Sequence, residues 1–264
     1  FRKQTGLEGI EFPDLSFFME PAVQSRAGLA LRRRLLRRPD DRGPVLGINF
    51  AEHAFRSFHD RHDDTARNAF VAAVLGELLR AHPQALFVLF SNDRREWPNH
   101  PSDDRFNAIA ADWISAELGP DRVVTVDAGA AYADYIAALR EVDLLVTGRM
   151  HLALAALRAA RPAIITMGQG RRYTSIDKMR GAFDTLLGSD QAVVSRIDDL
   201  GATAVAMLAD PVAVRGRLQA TNRELRRQRS KAATMVRSAV DAPAGDGAPT
   251  SARLERLRAR LARA

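Results

Sequence analysis

Arg149 and His151 stand two residues apart, after the apolar run Val142–Val146 and Gly148, and ahead of the Ala/Leu-rich stretch Leu152–Leu157. The chemistry this pairing offers is anion capture. A planar guanidinium forms a fork suited to phosphate or carboxylate, and an imidazole titrates near neutral pH. With the run read as a strand and the stretch as a helix, both residues fall where the strand ends and the helix begins. Such an end presents free backbone N–H groups and a positive dipole to a bound anion. Gly148 belongs to the same expected anion site.

Asn49 closes the run Val45–Asn49, and Ser91-Asn92-Asp93 follows Leu86–Phe90. In a parallel sheet both lie on the edge that carries Gly148–His151, so Asn49 and Asn92 are expected to line the cleft, with turn capping the alternative for the Ser91–Asp93 trio. Arg56 is a further cleft candidate. Gly168-Gln169-Gly170-Arg171-Arg172 is too short for a dinucleotide fingerprint and lacks the lysine of a phosphate loop, so it reads as an anion-contacting loop. Asp103 and Asp104 suit a helix N-terminus, where carboxylates complement the dipole. His53, His59 and His62 lie near Asp60, Asp63 and Asp64. Without a ligand-pair motif such as His-Glu-x-x-His they read as a polar loop and helix start, and no metal is expected. The absence of Cys excludes disulfides, thiolate metal sites and a Cys nucleophile.

The elements that must position these residues alternate along the chain. Val45–Phe50, Leu86–Phe90, Arg122–Val126, Asp143–Val146, Ala163–Met167 and Gln191–Val194 read as strands. Asp64–Ala81, Ser102–Leu118 (capped by Ser102), Ala131–Glu141, His151–Ala160 and Ile197–Ala209 read as helices. Continuous apolar strands between amphipathic helices predict an α/β fold, a Rossmann-like doubly wound parallel sheet covered on both faces. Ligands of such sheets bind beyond the carboxyl ends of the strands. Three parts are expected: 1–43, a remnant of an N-terminal domain with its linker; 44–212, a Rossmann-like donor-binding domain; and 213–264, an Arg-rich helix with a disordered tail. The chain opens on Phe1 without a charged-then-apolar leader. It is expected to carry no signal peptide and to be a piece of a longer protein.

Charge separates the tail from the rest. Residues 215–264 hold 13 Lys+Arg against 4 Asp+Glu, while 1–214 hold 26 against 28. The basic excess therefore gives no ground for a nucleic-acid reading of the sheet domain, and nucleic acid is not expected as a partner. The tail has three readings: a solvated helix packing back on the domains, a stretch that binds nucleic acid, or a surface for an anionic membrane face.

Asp143–Pro162 resembles the most recognisable segment of the polysaccharide pyruvyl transferase family, a strand ending in Arg-x-His, a small-residue helix and an Arg-Pro turn. Tyr173–Gly181, with Asp177 and Lys178, is similar to the family's later Tyr…Lys…Gly element. Pro13–Phe17 and Val45–Asn49 resemble its inter-domain strand and the strand opening its second domain. The likeness covers roughly 10–210. It implies the C-terminal half of a two-domain GT-B-type enzyme in the cytoplasm, at the inner face of the membrane. That enzyme transfers pyruvyl from phosphoenolpyruvate onto a hydroxyl pair of a sugar or lipid-linked oligosaccharide, as a ketal, in cell-surface polysaccharide synthesis. It further implies Arg149 and His151 as catalytic and donor-holding, Lys178 as a second donor cation, and no cofactor beyond the donor substrate. Asn49-Phe50 stands where family members carry a basic residue. Two other readings remain open: a GT-B glycosyltransferase using a nucleotide sugar, and a non-catalytic anion- or polymer-binding module.

Overall fold

The computed structural model of the chain describes residues 43–61, 63–91, 102–126, 132–168, 180–181 and 192–241. Asn92, His62, Lys178 and its Tyr173–Asp177 neighbours, the Gly170–Arg172 loop, the stretch 1–42 and the tail 242–264 lie outside the described residues. The chain divides into two compact units, Met19–Asn222 and Phe1–Phe18 with Arg223–Ala264.

The first unit holds one six-stranded sheet, β1 Val45–Asn49, β2 Leu86–Phe90, β3 Val123–Val126, β4 Leu144–Thr147, β5 Ala163–Thr166 and β6 Val193–Val194. Its spatial order is β3-β2-β1-β4-β5-β6, and every pair is parallel. This is the Rossmann-like doubly wound arrangement, in which the order of winding reverses between β1 and β4. The helices in chain order are α1 Glu52–Phe58, α2 Asp64–Ala81, α3 Asp103–Leu118, α4 Tyr132–Leu139, α5 Met150–Arg158, α6 Leu200–Ala209 and α7 Pro211–Asp241.

Strands buried on both faces explain the uninterrupted apolar runs, since β2, β4 and β5 are buried at every residue. On one face, Leu46, Ile48, Phe87, Leu89, Leu144 and Val146 share a core with Phe70, Val74 and Leu78 of α2, Phe106 and Ile114 of α3, and Leu200 and Ala204 of α6. α4 packs against α5, and α5 against β4 and β5. Asp63 caps α2, its carboxylate accepting from the Ala66 N–H at 2.9 Å. Ser102 sits at the N-cap of α3 in extended backbone, but its side chain makes no capping bond, contrary to the expected cap.

Most elements match their sequence reading to within two or three residues. The exception is α1, which occupies what reads as a polar loop. It has only seven residues, too few for an apolar period to repeat. It stays helical because it is tied down from several sides at the sheet's carboxyl edge.

Candidate functional site

The carboxyl ends of β1 and β4 lie side by side, with Asn49 in register with Thr147. Asn49 is 2% exposed and every part of its amide is used. Its nitrogen donates to the Phe90 carbonyl at 2.9 Å and to Asp103 Oδ2 at 3.0 Å. Its oxygen accepts from Thr147 Oγ1 at 2.8 Å. A carbonyl and a carboxylate can only accept, so the amide's orientation is forced. Thr147 Oγ1 in turn accepts the Arg149 N–H at 2.9 Å. Asn49 therefore braces the ends of β1, β2 and β4 rather than facing a ligand.

The Arg149 side chain closes this network. Its Nε donates to Asp103 Oδ2 at 3.0 Å and its Nη2 to Asp103 Oδ1 at 2.6 Å, a bidentate pair. Asp103 is fully buried and the Arg149 side chain 16% exposed. Asp103 thus does more than complement a helix dipole. It aims the Arg149 fork and offsets its charge. Asp104, one residue on, is exposed.

Arg149 is also the N-cap of α5, and its own side chain makes no capping bond there. His151 is exposed in the helix's first turn. The site therefore offers a helix N-terminus, a guanidinium held by a carboxylate, and an exposed imidazole.

Gly148 lies within this edge but faces the protein. A Cβ there would run into the Ala54 Cβ of α1. Its carbonyl accepts from His53 Nε2 at 2.7 Å, which places the ring proton on that nitrogen. Gly168, after β5, is as tightly placed, since a Cβ would strike the Ser57 backbone carbonyl. Its N–H donates to Ser57 Oγ at 2.7 Å, and that hydroxyl donates to the Ala54 carbonyl at 2.5 Å. So α1 lies across the ends of β4 and β5, and both glycines serve its close approach.

A buried carboxylate fixes the other side of α1. Glu52, fully buried, accepts from Arg56 Nε at 2.7 Å and from Arg67 at 3.1 and 3.2 Å. This carboxylate pushes the Arg67 guanidinium above its ordinary range, against the opposing effect of burial. Arg56 is thereby held within α1. Asp64 extends the network, accepting from Arg67 Nη1 at 3.1 Å and Arg105 Nη2 at 2.6 Å. His59 stacks on Phe55, centroids 5.2 Å apart, and meets the Phe70 ring edge-on. Neither described histidine of the His53–His62 group sits in a metal-ligand cluster.

No family model matches the chain, and no curated protein matches it. Solved structures do. A UDP-forming α,α-trehalose-phosphate synthase from Burkholderia xenovorans is similar at TM-score 0.47 and 16% identity, over 84% of this chain and 52% of the other. The glycotransferase of kitacinnamycin is similar at TM-score 0.38 and 20% identity, over 72% of this chain and 41% of the other. Phytolacca americana UGT2, in complex with UDP-2-fluoro-glucose and pterostilbene, is similar at TM-score 0.40 and 15% identity, over 92% and 45%. The chain spans about half the length of the solved structures it matches.

Three of the six predicted site residues, Gly148, Arg149 and His151, come together at the start of α5, with Asn49 behind them. Beside them stand Asp103 and His53, which the sequence reading placed at a helix start and in a polar loop, and Thr147, which it did not single out. Asp103 had a local signal, its place at a helix start, but that signal fits an outward carboxylate equally well.

Proposed function

We propose that this chain is the donor-binding half of a GT-B-type glycosyltransferase, seating the diphosphate of a nucleotide-sugar donor at the start of α5. The reading rests on one observation, the buried Asp103 carboxylate bonded through both oxygens to Arg149. A guanidinium so paired supplies directed N–H groups more than net charge. Bridging phosphates carry about one negative charge each, a load that helix N–H groups and a neutralised fork can meet. Phosphoenolpyruvate concentrates roughly three charges on a small molecule, counting about two on its phosphate. It calls for uncompensated cations.

In glycosyl transfer, the acceptor hydroxyl oxygen bonds to the anomeric carbon as the bond from that carbon to the diphosphate oxygen breaks, the electron pair leaving with the diphosphate and the hydroxyl proton passing to water. The leaving diphosphate gains a negative charge, which the first-turn N–H groups of α5 and the Arg149 fork are placed to stabilise. Pyruvyl transfer is the second reading. The close spacing of Arg149 and His151 at one helix start favours it, with Lys178 adding a cation.

Calorimetry on the full chain discriminates, with UDP-, GDP- and dTDP-sugars run against phosphoenolpyruvate. Binding of a nucleotide sugar, lost in Arg149→Ala, is the expected result. Binding of phosphoenolpyruvate alone transfers the conclusion to the pyruvyl reading. Binding of neither removes both and leaves an anion- or polymer-binding module.

A further inference from the structure

The turn from β4 into α5 is held at each polar backbone group of Gly148 and Arg149. The Gly148 N–H donates to the Asn49 carbonyl at 3.3 Å, and the Gly148 carbonyl accepts from His53 Nε2 at 2.7 Å. The next N–H, of Arg149, donates to Thr147 Oγ1 at 2.9 Å. The Arg149 carbonyl accepts the Ala153 N–H at 3.1 Å, the first bond of the helix. The peptide joining Gly148 to Arg149 is thus bonded on both edges, to His53 on one and to Thr147 on the other. Glycine lacks the Cβ that limits backbone rotation, so its own sterics do not set this plane. The backbone donors that the helix leaves without an internal partner belong to Met150, His151 and Leu152, and their direction follows from the plane just before them.

We propose that His53 is a positioning residue for the donor. Its bond to the Gly148 carbonyl, opposed by Thr147 on the following N–H, fixes the peptide plane that aims the first-turn N–H groups of α5 and the Arg149 fork at the bound anion. The inference rests on the donor reading above. Seating α1 does not by itself require this bond. That helix is already tied by Glu52, which accepts from Arg67 Nε at 3.2 Å, and by Ser57, which accepts the Gly168 N–H at 2.7 Å. His53 is instead the α1 side chain that reaches the turn carrying the donor site, 95 residues along the chain. A hydrogen bond of this kind leaves the ligand untouched and acts through the geometry of the groups that touch it, as supporting contacts around a binding site do.

Calorimetry tests this on the full chain with UDP-, GDP- and dTDP-glucose, each variant titrated well below its melting temperature. With the nucleotide sugar that the parent binds, His53→Ala is expected to weaken binding about fivefold, the loss of one directing hydrogen bond. His53→Gln, whose amide N–H can donate to the same carbonyl, is expected to return affinity to within about twofold of the parent. Thr147→Val removes the hydroxyl from the other edge of the peptide and is expected to weaken binding too. The double variant should lose less than the product of the two single effects, because either change frees the same plane. Leu78→Val, in the core at the last turn of α2, is expected to melt lower and bind as the parent does. The inference is overturned by parent-like affinity in His53→Ala, by an equal loss in His53→Gln, by single effects that multiply, or by a comparable loss of affinity in Leu78→Val. Absence of binding by the parent itself overturns the donor reading, and the role of His53 with it.

Discussion

At the residue scale, Asp103 decides how Arg149 behaves. The carboxylate accepts from Arg149 twice and from Asn49 once. Removing it strips a partly buried guanidinium and a buried amide of their shared acceptor. Breaking such a pair from one side costs more than the pair contributes, because the remaining charge loses its partner. Asp103→Ala is expected to lower stability by about 2–4 kcal/mol in urea titration. Arg149→Ala, which leaves the fully buried carboxylate, is expected to be at least as costly. If Asp103→Ala changes stability by less than half a kilocalorie per mole, the network is not what holds this edge. The sequence marked Arg149 because a strand end and a helix start are legible as patterns. It marked Asp103 only as a helix-start carboxylate, because adjacent aspartates there look alike whether they face solvent, as Asp104 does, or the sheet edge. His82 carries a separate pH signature. Burial holds its pKa below the usual histidine value of about 6.5, and among the described residues its buried Nε2 finds no hydrogen-bond partner. The native state then binds fewer protons than the unfolded chain. Its contribution is full above pH 6.5 and is lost as pH falls from there through the depressed native value. Replacement by Gln at His82 is expected to flatten that part of the stability–pH curve, followed by thermal melts.

At the scale of elements, α1 is the piece that sequence reading could not supply. The strands were legible because full burial on both faces writes itself as unbroken Val, Ile, Leu and Phe. The long α2 repeats its apolar period often enough to be read to the residue. A seven-residue helix held by Glu52, His53 and Ser57 has no such record, since its stability comes from partners distant in the chain. Its fit against Gly148 makes a direct prediction. A methyl group there must displace α1 from the edge, and overpacking of this kind costs about 1–3 kcal/mol. Gly148→Ala should lower the melting temperature, and by shifting α1 it should weaken donor binding. The C-terminus of α5 gives a change of opposite sign. Ala160 lies at φ 57°, with its N–H bonded to Leu157 and the next N–H, of Arg161, bonded to Ala156. This is a Schellman ending with alanine in the left-handed position that glycine fills without strain. Ala160→Gly is expected to raise stability by about 0.5–1 kcal/mol in the same titration.

At the scale of the first unit, two places among the described residues invite comparison as ligand sites, and their chemistry separates them. A cavity of about 390 Å³ lies at the end of β6 beside α6, lined by Val194, Ser195, Asp199, Thr203, Ala206 and Met207. Its lining is largely apolar, and its one charged side chain is a carboxylate, so it repels an anion. The β1–β4 edge offers the opposite character: the reversal of strand order, a helix start, Arg149 and the exposed His151. Electrostatics and topology favour the second place. Hydrogen exchange read by mass spectrometry distinguishes them, because a bound ligand slows opening of the segments it touches. On adding the donor that calorimetry identifies, residues 147–154 should gain protection. Residues 50–58 should follow, since α1 is tied to Gly148 through His53 and to Gly168 through Ser57. Residues 193–207 should exchange as before. Protection confined to 193–207 would place the ligand beside α6 and leave Arg149 and Asp103 as a brace for the sheet edge. Protection of 147–154 without 50–58 would keep the site but show that α1 is a fixed wall, indifferent to what binds beneath it.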